Sequence, residues 1–158
     1  MELNLLLHNV RSAYNVGSIF RTADAAGVSK IYLVGLTPTP VDRFDRKNKE
    51  IAKTALGAEK YIPWENMRSI RALFSKLKKD GWYIVGVEQD EAARDYRVVR
   101  PRKKVVFVFG NEVRGLPISV RNECDTLVHI PMRGNKESLN VSVAAGVILF
   151  GCQSRTNS

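Results

Sequence analysis

Residues Lys104 to Phe109 read KVVFVF, an unbroken apolar run of strand length, and such a run suits a sheet covered on both faces. Leu3 to His8, Lys30 to Gly35, Trp82 to Val87 and Leu127 to Ile130 are further short runs, each followed by glycine, proline or polar residues. Between them the spacing turns helical. Glu65 to Lys79 is the clearest helix, with Ile70, Leu73, Phe74 and Leu77 on one face and Asp80-Gly81 as its stop. Asn15 to Ala26 is expected to be another, capped by Asn15, stopped by Gly27 and turning Ile19, Ala23 and Ala26 inward. Lys47 to Leu56, a short piece after Pro117 and the apolar Ser138 to Phe150 complete the helices; Lys60 to Ile62 reads as one more short strand. Strands alternating with helices predict an α/β fold, a largely parallel sheet with helices on both faces, as one domain over residues 1–158.

Charge narrows the partners. The chain carries 25 Lys+Arg against 16 Asp+Glu, a formal +9, which favours polyanions such as nucleic acid. Much of the surplus sits in Arg68, Arg71, Lys76, Lys78 and Lys79, and in Arg94, Arg97, Arg100, Arg102, Lys103 and Lys104. With few aromatics interleaved, these runs suit phosphate backbones better than stacked bases, the plainer alternative being solvated faces. No apolar run reaches the roughly 18 residues needed to cross a bilayer, and the amino terminus does not read as a signal peptide, so no membrane partner is expected. Cys124 and Cys152 make no disulfide framework, which points to a reducing compartment, the cytoplasm. His8 and His129 lack metal-ligand spacing and are read as structural, while Trp64, Trp82 and Tyr83 are read as packing residues.

Polar and glycine residues gather just after the strands, where open α/β sheets bind ligands. The first such segment is Asn15-Val16-Gly17-Ser18-Ile19-Phe20-Arg21, in which Gly17 permits close approach. The second is Phe109-Gly110-Asn111-Glu112-Val113-Arg114-Gly115-Leu116-Pro117, two glycines around a carboxylate. It lacks the Gly-Lys-Ser/Thr ending of a phosphate loop, and the chain has no G-x-G-x-x-G, which weakens a nucleotide-binding oxidoreductase reading. The third runs from Ile130-Pro131-Met132 through Ser138-Leu139-Asn140 into the last helix. Ser138 can cap that helix, and Asn140 is a polar residue in an apolar segment whose amide needs partners. Each segment also has a purely structural reading, as a capped helix or a strand-to-helix turn.

Together the three segments resemble the signature motifs of the SpoU (TrmH-like) branch of the SPOUT RNA methyltransferases. N-x-G-x-x-x-R, F-G-N-E-x-x-G-L-P and I-P-M-x-G-x-x-x-S-L-N-V-S-V-A stand in the family's order and frame the chain from Asn9 to about Phe150. The resemblance implies S-adenosylmethionine-dependent methylation of an RNA ribose 2′-hydroxyl, a carboxy-terminal trefoil knot and a homodimer whose active site can draw on both subunits. It implies Arg21 as the catalytic arginine, with Asn15, Glu112, Ser138 and Asn140 in the same site. The cofactor would lie against Phe109, Gly110, Asn111 and Gly115, Ile130, Pro131 and Met132, and Ser138 and Leu139, with Val87 and Glu88 on the adenine side. Arg11, Arg21 and Arg114 are the expected RNA contacts. The alternative is a catalytically inactive RNA-binding module with the same fold, which would have no need to keep Arg21, Glu112, Ser138 and Asn140.

The implied reaction needs a weakly acidic hydroxyl aligned with a sulfonium methyl and shielded from water. A sulfonium is already an activated donor, so neither a metal nor a covalent nucleophile is called for. A guanidinium base is awkward, because arginine stays protonated. Either RNA phosphate helps Arg21 lose a proton, or Arg21 stays charged and stabilises the developing alkoxide; the second is electrostatically cheaper. Few residues precede Asn15 or follow Phe150, so RNA recognition is assigned to the basic surface and a second subunit. The expected substrate is tRNA rather than rRNA.

Overall fold

The structure is a computed structural model, and it describes residues 1–100 and 102–154. Among the described residues seven strands form one sheet in the order β3-β2-β1-β6-β4-β7-β5, all parallel. They are β1 (Glu2–His8), β2 (Lys30–Val34), β3 (Trp64–Met67), β4 (Tyr83–Val87), β5 (Arg94–Asp95), β6 (Lys104–Phe109) and β7 (Thr126–His129). The helices are α1 (Ala13–Ala25), α2 (Lys49–Ala55), α3 (Ile70–Lys79), α4 (Ile118–Glu123) and α5 (Val141–Gln153). The α/β expectation holds, and the apolar KVVFVF strand lies in the middle, between β1 and β4.

Alternation along β1 divides the core. Leu3, Leu5 and Leu7 pack with Val16, Ile19 and Phe20 of α1, Ile51 of α2 and Ala145, Ile148 and Leu149 of α5. Leu6 points the other way, into a second cluster with Leu73, Phe74 and Leu77 of α3 and Val120 of α4. Helices thus cover both faces. None is long and apolar enough, among the described residues, to cross a membrane.

Four local expectations change. The helix expected over 65–79 starts only at Ile70, because Trp64–Met67 pair in register with Ile31–Val34 as β3. Ser69 Oγ then accepts the Ala72 N–H at 3.1 Å and caps α3, while Lys30 and Glu65 pair at 2.8 Å across the two strands. Residues 60–62 are no strand: Ala58–Lys60 form a single 3-10 turn. Ser12, not Asn15, caps α1, accepting the Asn15 N–H at 3.1 Å, while Gly27 (φ 72°) follows the helix as expected. The last helix begins at Val141 with Asn140 as its cap, which leaves Ser138 in the preceding loop.

Candidate active site

Because every strand is parallel, the loops after β1, β4, β6 and β7 leave the same end of the sheet. They enclose a cleft of about 580 Å³. Its walls include Val87 and Glu88 after β4, Phe109 to Glu112 and Gly115 after β6, and Ile130 after β7. Ser138, Leu139 and Asn140 close one side, and Asn15 from α1 reaches in.

The three sequence motifs hold one another in place. Glu112 Oε1 accepts the Ser12 N–H at 3.0 Å and Oε2 accepts the Arg11 N–H at 3.3 Å. The carboxylate thus binds two free donors at the start of α1, where the helix dipole favours negative charge. Asn111 Nδ2 donates to the Asn9 carbonyl at 2.9 Å, and its Oδ1 accepts the N–H groups of Val113 and Arg114, both at 3.0 Å. Asn140 Nδ2 donates to Asn15 Oδ1 at 3.2 Å, while Asn140 Oδ1 accepts the Ser142 N–H at 2.9 Å.

Glycine shapes the floor. A Cβ on Gly110 would lie 2.6 Å from the Leu116 nitrogen, so only glycine lets this turn fold back on itself. Gly115 adopts φ 66°, and its open side faces the Glu88 carboxylate, whose Oε2 accepts the Leu116 N–H at 2.6 Å. Asp90 and Arg121 pair at 2.8 Å nearby, and Arg121 Nε donates to the Leu116 carbonyl at 2.7 Å. The Ala92 N–H and then Arg121 hold the Asp90 carboxyl below its ordinary range.

Of the residues expected at the site, the cleft gathers Asn15, Glu112, Ser138, Asn140, Val87, Glu88, Phe109, Gly110, Asn111, Gly115, Ile130 and Leu139. Pro131 and Met132 are not part of its lining. Arg21 is exposed on α1 and lines a separate groove with Tyr14, Thr22, Lys53 and Phe150. Arg11 and Arg114 are exposed at the cleft end. Gln89, Val113, Glu137 and Val141 also line the cleft, each a neighbour in sequence of an expected residue, as does Ala144, one helical turn after Asn140. His129, read from sequence as structural, stands on the wall as well. It is the last residue of β7, so strand-end position was the available signal.

The basic runs divide between the two ends of the sheet. Arg68 follows β3 and Arg94 pairs with Val128 near the carboxyl end of β7, so both lie toward the cleft. Lys104 begins β6, five residues before cleft-lining Phe109, which puts it about 17 Å away along the strand. Arg102 stacks over Tyr83 at 3.9 Å and Lys104 over Trp82 at 5.7 Å, at the amino end of β4. Tyr83 and Trp82 are packing residues, as expected.

Comparison with known proteins places this geometry. The model of the SpoU rRNA Methylase family matches residues 2–150. The chain is 37% identical over 148 residues to the 23S rRNA (guanosine-2′-O-)-methyltransferase RlmB of Ralstonia nicotianae, covering 94% of this chain and 57% of that protein. An AdoMet-bound rRNA methyltransferase from Sinorhizobium meliloti superposes with a TM-score of 0.89 at 33% identity, covering 99% of this chain and 57% of that one. The A. aeolicus TrmH/SpoU tRNA modifying enzyme gives 0.85 at 29% identity, covering 99% of this chain and 76% of its own. The chain thus spans little more than half the length of the curated relatives it matches. A correspondence that runs from the first strand into the last helix establishes the family: the chain belongs to the SpoU rRNA methylases.

Proposed function

We propose that the protein transfers a methyl group from S-adenosylmethionine to a ribose 2′-hydroxyl of RNA, as a cytoplasmic homodimer. The observation that carries the reading is the meeting of Asn15, Glu112, Ser138 and Asn140 on one cleft, from segments far apart in sequence. The cleft fits the cofactor's size and character. About 580 Å³ lies within the ordinary range for small-molecule sites, and apolar Val87, Phe109, Ile130 and Leu139 alternate with backbone and amide groups. Bound there, the sulfonium supplies an activated methyl group.

The chain's own residues then orient and shield. The Gly110 and Gly115 turns present backbone to the cofactor, and Glu88 fixes the second turn through Leu116. Ser138 and the Asn15–Asn140 pair offer polar groups for the attacking ribose. When the 2′-oxygen takes the methyl carbon, the carbon–sulfur bond would break and its electron pair would return to sulfur as a neutral thioether. The hydroxyl proton would pass to solvent, leaving negative charge on the oxygen in transit. A charged Arg21 stabilises that charge.

Arg21 lies outside the cleft of its own chain, so a partner subunit must deliver it. The surface around it supports this: Tyr14, Val143 and Phe150 are 62%, 51% and 48% exposed on α1 and α5. Such an apolar face suits a dimer interface. The trefoil knot is part of the same reading. Its support is that Gly151 of α5 packs beneath the Tyr96 ring, so the chain end lies against the segment between β5 and β6. The relatives' names include both rRNA and tRNA enzymes, and tRNA is the proposed substrate.

Titrating the folded protein with S-adenosylmethionine, then mapping 2′-O-methyl groups in RNA from cells with and without it, tests the reading. Cofactor binding and a lost methyl site are expected; a folded protein that binds no cofactor would exclude catalysis.

A further inference from the structure

Between β2 and α2 the chain makes a turn that neither the cleft nor the core uses. Val41 and Lys47 close it by an antiparallel bridge. Within it, Asp42 Oδ1 accepts the N–H groups of Phe44 at 2.8 Å and Arg46 at 3.0 Å, and Asp45 takes a left-handed φ of 61°. At its tip Phe44 is 62% exposed. The Arg43 guanidinium sits 4.8 Å from the ring centroid and that of Arg46 4.9 Å, while Arg46 Nε also holds Asp42 Oδ2 at 2.8 Å. Residues 42–49 carry four basic side chains, Arg43, Arg46, Lys47 and Lys49, against Asp42, Asp45 and Glu50 just beyond.

A lone exposed phenylalanine is unremarkable on a protein surface. This one is held on a hydrogen-bonded turn, with two guanidiniums against its ring. The segment that leads into the turn is fixed relative to the cleft. Thr37 Oγ1 donates to the Leu7 carbonyl at 2.8 Å and accepts the Val10 N–H at 3.2 Å, and Asn9 Oδ1 accepts the Leu36 N–H at 2.8 Å. Asn9 is the residue whose carbonyl Asn111 holds, so the start of the β2–α2 connection and the cleft share one anchor just after β1.

We infer that residues 41–47 form an RNA-recognition element in which Phe44 stacks on an unpaired base and Arg43, Arg46 and Lys47 hold the flanking phosphates. An aromatic face with cationic neighbours is the arrangement that binds single-stranded nucleic acid without a fixed sequence. A paired duplex offers no open base face to Phe44. The element therefore favours loops or bulges near the methylated ribose, and the inference rests on the RNA-methylation reading above.

The test compares wild-type protein with Phe44→Ala and Phe44→Trp, using a fluorescent unpaired oligoribonucleotide and an RNA duplex of equal length. Phe44→Ala is expected to weaken unpaired-strand binding by about tenfold, to change duplex binding little and to leave S-adenosylmethionine affinity unchanged. Phe44→Trp should bind like wild type and show its indole fluorescence quenched by the unpaired strand. Equal losses on both RNAs, or no loss on either, would overturn the stacking role. A changed oligomeric state with unchanged RNA binding would assign the turn to a protein contact instead. Wild-type protein that binds cofactor but methylates no RNA would overturn the parent reading, whatever the Phe44 variants do.

Discussion

Asn140 and Asn15 stand 125 residues apart in sequence, yet Asn140 Nδ2 donates to Asn15 Oδ1 at 3.2 Å. The same Asn140 caps α5 through its other amide atom. One side chain therefore starts the last helix and ties it to the first. The two tasks separate by substitution. Asn140→Ala removes both and should lower stability by about 1 kcal/mol, the usual worth of a cap, as read by urea unfolding. Asn140→Asp keeps the capping oxygen, and Asn15 restores the contact by turning its own NH2 toward the carboxylate. That variant should unfold near the wild-type midpoint but methylate on the order of tenfold more slowly, because the pair's polarity is reversed. Wild-type turnover by Asn140→Asp would remove this pair from the catalytic account.

The Gly115 turn makes a second, independent prediction. Alanine there meets two obstacles at once: a φ of 66° that a side chain resists, and the Glu88 carboxyl carbon 2.9 Å from the new Cβ. Gly115→Ala should cost about 1–3 kcal/mol in unfolding experiments. Displacing Glu88 also frees the Leu116 N–H and opens the cleft floor, so calorimetry should show weaker S-adenosylmethionine binding. Unchanged affinity would mean that this turn does not shape the cofactor site.

Fold class and site loops were legible in the sequence for different reasons. Continuous apolar runs such as KVVFVF announce buried parallel strands, and the helical face Ile70-Leu73-Phe74-Leu77 is correctly placed on α3. Strand β3 was not legible because WENM carries no strand signal of its own; it forms because β2 offers an unpaired edge. The caps lie three residues from the expected position at α1 and two residues from it at α5. Ser12 outcompetes Asn15, and Asn140 outcompetes Ser138, since several polar residues precede each helix and tertiary contacts choose among them. Arg21 is a different case. The sequence places it on a helix, and only folded geometry reveals that it faces away from its own cleft.

That separation gives a prediction about assembly. If Arg21 serves the cleft of the partner subunit, an Arg21→Ala homodimer and an Asn140→Asp homodimer should each be impaired. Subunits mixed by mild unfolding and refolding together should recover about a quarter of wild-type activity, because half the dimers are mixed and each carries one intact site. Activity that stays at the level of the separate variants would place Arg21 and Asn140 in one subunit's site.

His8 provides the last prediction, on stability. It ends strand β1, buried on the side facing α3 and α4, the side that Leu6 and Asn4 share by alternation. Its Nδ1 and the Asn4 Oδ1 have no hydrogen-bond partner among the described residues. Burial pushes the His8 pKa below its ordinary 6.5, since the charged imidazole is poorly solvated there. The unfolded chain therefore takes up this proton at a higher pH than the folded one. As pH falls below 6.5, proton uptake favours unfolding until the folded-state pKa is passed. The depressed carboxylates act lower: Glu65, held by Lys30, begins to lose its contribution near 4.5, and Asp42, Asp90 and Asp95, the last held at about 2 by Arg97, only near 3.8. A fall in the urea midpoint between about pH 6.5 and 5 thus reports His8 apart from the carboxylates. His8→Leu should flatten that fall and, by removing an unpaired buried nitrogen, cost little stability at neutral pH. A fall that persists undiminished in His8→Leu would assign the acid sensitivity to another group.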